Sequence, residues 1–450
     1  MAPTQTAFAA PDAIPRWTSR LAIPAVALLL FAVLAGLWRW GPHALYFDVL
    51  TLFGFEPFRF PFLDIHAVLA AAQCRRLGID VYLSNPCDAL GRVHVYSPLW
   101  LSIVPGFLDT TSTNAVGLGL DLTVILSLAV VIRPATRGEV LILSLAALSP
   151  MTFYALERAN CDLVVFLLVV GGCALGQAAR PWRFGAYAVY LCAGLLKYYP
   201  LVLLVLLARE RRRDALIGAA LAALTVLGLA GFNHAQLAKA LANIPALSHF
   251  ADSFSARNLP FGVAEAIFCP RRRGAVGLLL LTALAACAIA RTRRTLRLLD
   301  TVALDPDRIE GQCLLAGALL VTACFFAGQN VDYRGIYFVL VMPGLVRRHR
   351  LADGLMVRRF LARMIAAVLF LAWNDPVRRI VQLIAGAVSV EQVGLRIQLL
   401  FWICRELVWW WLVAGLAAIV LCQLRRLPLV RDTTAALARI GPPRRRRLPG

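Results

Sequence analysis

Long apolar runs recur along the whole chain, separated by short polar loops. Residues 21–37, 115–132, 215–231, 275–290, 313–326 and 407–421 are almost free of charge. Shorter blocks at 140–148, 163–175 and 336–345 lie between them, and two more flank Trp373-Asn374-Asp375-Pro376. None alternates with a period of two, so the pattern predicts α-helices and not strands. At about 20 residues per crossing it predicts roughly ten to thirteen membrane segments in an all-α polytopic protein.

One stretch breaks the pattern. Residues 62–100 are far more polar than their surroundings. Asp64 opens a run with Ile65, Val68, Leu69 and Ala72 on one helical face, which predicts a helix with Asp64 as its N-cap. Gly78 ends the run as a glycine C-cap would. Asp80 and Tyr82, an Asn85-Pro86 turn and Tyr96-Ser97-Pro98-Leu99 follow. The expectation is a short helix at the membrane surface, with its carboxylate held over a cavity.

The arginines give the topology. Arg16 and Arg20 precede the first apolar run, so residues 1–20 are a cytoplasmic segment, 21–424 the membrane domain and 425–450 a basic cytoplasmic tail. Residues 38–95 form the first extracytoplasmic loop, and the polar segment 232–262 lies on the same side. Arg271, Arg272, Arg273, Arg378 and Arg379 fall on the outer side against this alternation. Residues 96–108, broken by Pro98 and Pro105, read as a half-helix. Residues 184–207 carry Lys197-Tyr198-Tyr199-Pro200 in mid-run and are basic at both ends. Either they form a re-entrant hairpin with its tip at Lys197, or they cross and leave one basic end outside. Trp409, Trp410 and Trp411 predict an interfacial aromatic belt.

Composition and charge exclude other classes. The chain of 450 residues is 60% hydrophobic and 16% charged, with mean hydropathy +0.72, which a soluble fold cannot bury. Its net charge of +21 sits in loops, where it matches anionic lipid headgroups, and no nucleic-acid-binding module is visible. Eleven cysteines lie mostly in apolar runs without metal-ligand spacing, so no metal or other cofactor is expected. Cys74 and Cys87 share the first loop, and a disulfide between them is left open.

Ionisable groups in such a chain mark functional sites. Glu157-Arg158-Ala159-Asn160-Cys161-Asp162, Lys197 and Gln329-Asn330-Val331-Asp332-Tyr333-Arg334 join the first loop on the outer side. The stretch from Asp64 through Gly78-Ile79-Asp80-Val81-Tyr82 to Tyr96-Ser97-Pro98-Leu99 resembles the first-loop signature of glycosyltransferase family 87: an acid, a short helix, a G-x-D-P-Y turn, then Y-P-P-L. Glu157 to Asp162 is similar to the family's E-R-G-N-x-D, and Lys197-Tyr198-Tyr199-Pro200 to its K-x-Y-P. Asp332-Tyr333-Arg334 before Met342-Pro343-Gly344 is similar too. Val81 and Ser97 stand where proline is usual, and Ala159 where glycine is usual.

The resemblance implies a GT-C-like helical bundle in the bacterial inner membrane, with its active site facing outward. It implies a hexosyltransferase, with mannose first among the sugars. The donor would be a polyprenyl-phosphate sugar and the acceptor a glycolipid or envelope glycan, glycosylated with inversion. Asp64 would be the general base. Arg158, Asn160, Asp162, Lys197, Tyr198, Tyr96, Asp80, Tyr82 and Arg334 would bind the donor or acceptor, with Arg158, Lys197 and Arg334 as phosphate ligands. A transporter or flippase of a lipid-linked sugar is the alternative; it would call for an internal repeat, and none is visible.

Overall fold

The computed structural model describes residues 16–54, 58–299, 308–388 and 390–431. Within them the chain is helical apart from one pair of two-residue strands, Ser253–Phe254 antiparallel to Asn330–Val331. Six helices are long and apolar enough to cross a membrane: Arg20–Trp40, Thr110–Val131, Arg212–Phe232, Pro270–Leu299, Ile309–Ala327 and Glu391–Arg426. A seventh crossing is available from Arg137–Ala147 and Pro150–Glu157, which meet at 46°. The higher number expected from sequence counted apolar blocks such as Cys161–Leu175, which is too short to span about 30 Å alone. This is an all-α polytopic membrane protein.

The core is built around Ile309–Ala327, which is apolar all round and buried on nearly every face. Phe338–Leu351 packs along it at close range. A Cβ on Gly344 would lie 2.5 Å from Leu314 Cβ, and one on Gly317 2.9 Å from Leu340 Cβ, so only glycine permits this approach.

Residues 180–209 form a hairpin. Helix Arg180–Lys197 turns at Tyr198, whose φ is +48°, and Tyr199–Arg209 returns alongside it as a 3₁₀ helix. Tyr187 Oη donates to Leu206 O, and Arg183 pairs with Glu210 at 2.8 Å. Arg180 pairs with Asp214. The two basic ends therefore share one side, which is the re-entrant alternative, with Lys197 at the tip.

Several local expectations change. Asp64 is not an N-cap: the Leu63–Arg76 helix starts after Phe62, which takes that place at φ +64° without a side-chain cap, and Asp64 sits in the first turn. The helix end does follow the prediction. Gly78 at φ +82° donates to Arg75 O and Ile79 to Cys74 O, a Schellman closure. Cys74 and Cys87 form a disulfide. Residues 98–103 are a short helix capped by Ser97. Segment 232–262 holds helix His234–Ala242 and the start of Asn258–Ile267.

The tryptophan belt is also corrected. The last helix runs over Glu391–Arg426, so Trp409 and Trp410 fall mid-helix and are buried against Phe325 and, for Trp409, Phe254 and Phe338. Arg378, which strained the topology, pairs with Asp252 at 2.7 Å and so shares the side of the 232–262 segment. The first helix begins at Arg16, and the last described residue is Arg431. Most of the predicted N-terminal segment and tail, including Arg444 to Arg447, lies outside the described residues.

Candidate active site

Two backbone bonds dock the first loop onto the Glu157–Asp162 turn. Phe62 N donates to Glu157 O at 2.7 Å and Asp64 N to Arg158 O at 3.0 Å. The turn passes through Ala159 at φ +42°, a left-handed conformation that explains why glycine is usual there. Asn160 then caps the Cys161–Leu175 helix, accepting from Asp162 N at 2.9 Å. The capping bond aims the rest of the Asn160 amide at the site.

A continuous buried network follows. Arg158 grips Asp64 through both carboxylate oxygens, Nη2 to Oδ1 at 2.7 Å and Nε to Oδ2 at 2.8 Å. Asn160 Nδ2 donates to Asp64 Oδ2 at 2.5 Å, and Asn160 Oδ1 accepts from Lys197 Nζ at 3.0 Å. Lys197 Nζ also pairs with Asp162 Oδ2 at 2.7 Å, and Arg334 Nε reaches the same oxygen at 3.3 Å. Tyr199 and Tyr337 close the far side through their hydroxyls, bonded to each other and to Asp162 Oδ1.

Aromatic rings flank the cations of the network. The Lys197 ammonium lies 5.3 Å from the Tyr96 ring and 5.8 Å from that of Tyr333. Arg158 lies over Phe58 and Tyr154. The groups joined in this network carry three cations, Arg158, Lys197 and Arg334, against two carboxylates, Asp64 and Asp162. A surplus positive charge held away from water favours an anionic guest.

Asp64 is 5% exposed. Burial alone pushes its carboxyl upward, but Arg158, Asn160 and Arg92 outweigh that and hold it below the usual carboxylate range. It is therefore an oriented, ionised acceptor at neutral pH. Arg92 completes its coordination: Nη1 is 3.4 Å from Oδ1, while Asp88 and Leu63 O hold the rest of the guanidinium. Arg92 and Arg334 are the more exposed members of the cluster.

Six of the other nine expected binding residues meet Asp64 here: Arg158, Asn160, Asp162, Lys197, Tyr96 and Arg334. Three do not. Asp80 is largely exposed and pairs with Lys239 at 2.6 Å. Tyr82 packs edge-on to His94, which in turn meets Tyr96, so it touches the site only through that stack. The Tyr198 hydroxyl is buried without a partner, outside the network. Arg92, Asp88, Tyr199, Tyr333 and Tyr337 were not singled out from sequence. Tyr199 and Tyr333 sit inside motifs already quoted, and Asp88 and Arg92 have the i,i+4 spacing of an ion pair.

Comparison with known proteins adds one finding. Glycosyltransferase family 87 matches over residues 93–305, just under half the chain. The match takes in Arg158, Asn160, Asp162 and Lys197, begins after Asp64 and ends before Arg334. No curated protein and no solved structure matches. The motif order, the helical membrane architecture and this match agree, and together they support membership of glycosyltransferase family 87 and a membrane glycosyltransferase.

Proposed function

We propose that the protein transfers a hexose, most simply mannose, from a polyprenyl-phosphate sugar to a hydroxyl of a glycolipid or envelope glycan. The reaction runs with inversion, on a GT-C-like scaffold in a bacterial inner membrane, with the site on the extracytoplasmic face. The observation that carries this reading is the buried network in which Asp64 is aligned by Arg158 and Asn160, beside Lys197 and Arg334 with one positive charge to spare. The Cys74–Cys87 disulfide beside it supports an oxidising, outward compartment.

The chemistry asks little more. The acceptor oxygen attacks the anomeric carbon as Asp64 takes its proton, and the bond from that carbon to the phosphate oxygen breaks. The lipid phosphate leaves with the bonding electrons and is held by Lys197 and Arg334. The departing polyprenyl phosphate, a phosphate monoester released from the donor's diester linkage, is a good leaving group, so a weakly basic but well-aimed carboxylate suffices. All four lone-pair directions of Asp64 are occupied, and Arg92 at 3.4 Å is the longest contact. The acceptor hydroxyl takes the place of Arg92 at Oδ1.

The test uses purified protein, a radiolabelled polyprenyl-phosphate mannose and a membrane glycolipid extract. The expected result is labelled glycolipid of inverted configuration and an equal amount of free polyprenyl phosphate. Transfer from a nucleotide sugar instead, or movement of intact donor across a vesicle with no change in its covalent partner, overturns the reading.

A further inference from the structure

A second charged site lies elsewhere in the fold. Helices Pro270–Leu299, Leu355–Ala372 and Glu391–Arg426 pack together around a cavity of about 730 Å³. Arg291 and Arg294 come from the first, Arg359 and Arg363 from the second, and Trp411 from the third. The spacings i,i+3 and i,i+4 put each arginine pair on one helix face, and all four line the cavity, Arg291 half-buried and the other three exposed. Phe360 belongs to the apolar part of the wall. None of these residues belongs to the Asp64 network.

Like charges this close repel, and among the described residues no carboxylate pairs with any of the four. The Arg291 guanidinium is fixed by stacking on Trp411, 4.2 Å from its ring, yet its Nε is buried without a hydrogen-bond partner. A pre-oriented guanidinium with an unmet donor lacks an acceptor. The fork geometry of arginine suits a phosphate, and the apolar wall suits a hydrocarbon chain. Basic pockets between membrane helices are where lipid headgroups bind.

We infer that this cavity binds the phosphate headgroup of an anionic lipid, with its chain against the apolar wall. The assignment does not depend on which sugar or acceptor the enzyme uses, and its test reads no transferase activity.

The test is photocrosslinking of the full-length protein in nanodiscs with a photoactivatable phosphatidylglycerol, adducts being mapped by mass spectrometry. Adducts are expected on peptides carrying Arg291 to Leu298 and Met356 to Arg363, at least tenfold above those from a matched phosphatidylcholine probe. Excess unlabelled phosphatidylglycerol or polyprenyl phosphate should displace the probe, and the stronger competitor identifies the occupant. Displacement by millimolar inorganic phosphate alone would mean a free-anion site and overturn the lipid assignment. Arg291→Gln with Arg363→Gln should lower adduct yield about tenfold at an unchanged melting temperature. Unchanged yield in that folded variant overturns the inference, as do adducts mapping only elsewhere or equal yields from the two probes. If the double variant does not fold, the wild-type map and probe ratio decide alone.

Discussion

Arg158 and Asp64, 94 residues apart in sequence, form a two-pronged ion pair at 2.7 and 2.8 Å in the interior of the protein. The general base proposed for the reaction is thus also the partner of a buried cation, and no substitution at Asp64 is silent in shape and charge. Asp64→Asn leaves Arg158 unmatched, which costs about 3–5 kcal/mol for a buried pair. It also removes the proton acceptor, worth on the order of a hundredfold or more in rate. The double variant Asp64→Asn with Arg158→Gln should regain most of the lost melting temperature while transfer stays low. Turnover returning together with stability would take Asp64 out of the chemistry.

Lys197 tests whether the surplus charge serves the donor. It pairs with Asp162 at 2.7 Å, and Arg334 shares that carboxylate. Lys197→Met therefore leaves Asp162 with Arg334 as its one cationic partner, beside the Tyr199 and Tyr337 hydroxyls, and removes the surplus. A charged hydrogen bond to the donor phosphate is worth about 1.5–3 kcal/mol, so the donor KM should rise about tenfold or more. Initial-rate measurements on folded protein decide this. A donor KM equal to wild type would make Lys197 a structural partner of Asp162 alone.

Ala159 is fully buried at φ +42°, between two network residues. Ala159→Gly relieves the left-handed strain but gives up a packed methyl, so stability should stay within about 1 kcal/mol of wild type. Ala159→Val adds branching where neither the backbone nor the packing admits it and should cost more than about 2 kcal/mol. Thermal melts of the two variants check the asymmetry. Equal effects would mean that the turn has a different conformation.

His94 makes the first loop acid-sensitive. It is buried between Tyr82 and Tyr96, and burial, aided by the charge of Arg75, lowers its pKa from 6.5 to about 4. The folded state then binds fewer protons than the unfolded one between those values. Its stabilising effect is complete above pH 6.5 and lost as pH falls toward 4, by about 3 kcal/mol in full. Melting temperature should drop over that window in wild type and less steeply in His94→Gln. Parallel pH curves for the two would assign the acid sensitivity to other groups.

Much of this site was legible in sequence. Asp64, Arg158, Asn160, Asp162, Lys197 and Arg334 stood out because ionisable and amide groups among apolar runs are costly to keep, and they do converge. Their pairing was not legible. Lys197 and Arg334 were expected to await a phosphate, but each already holds Asp162, with a partner 172 residues away in the case of Arg334. Asp64 looked like a cap because capping is a local signal. The cap position depends on Phe62, whose backbone is set by its bond to Glu157 O.

The sequence by itself determined the class of the protein, the positions of its apolar helices and the order of its motifs. Each of these follows from hydropathy or spacing over a few turns of chain, where the bilayer and the backbone impose their own rules. Only the tertiary structure decided that residues 180–209 fold back as a hairpin, that Trp409 and Trp410 enter the core, and that Arg92 occupies the open side of Asp64. Each depends on contacts between distant segments. The energy of a buried charge or ring is set by what surrounds it in space, and local periodicity carries no record of those neighbours.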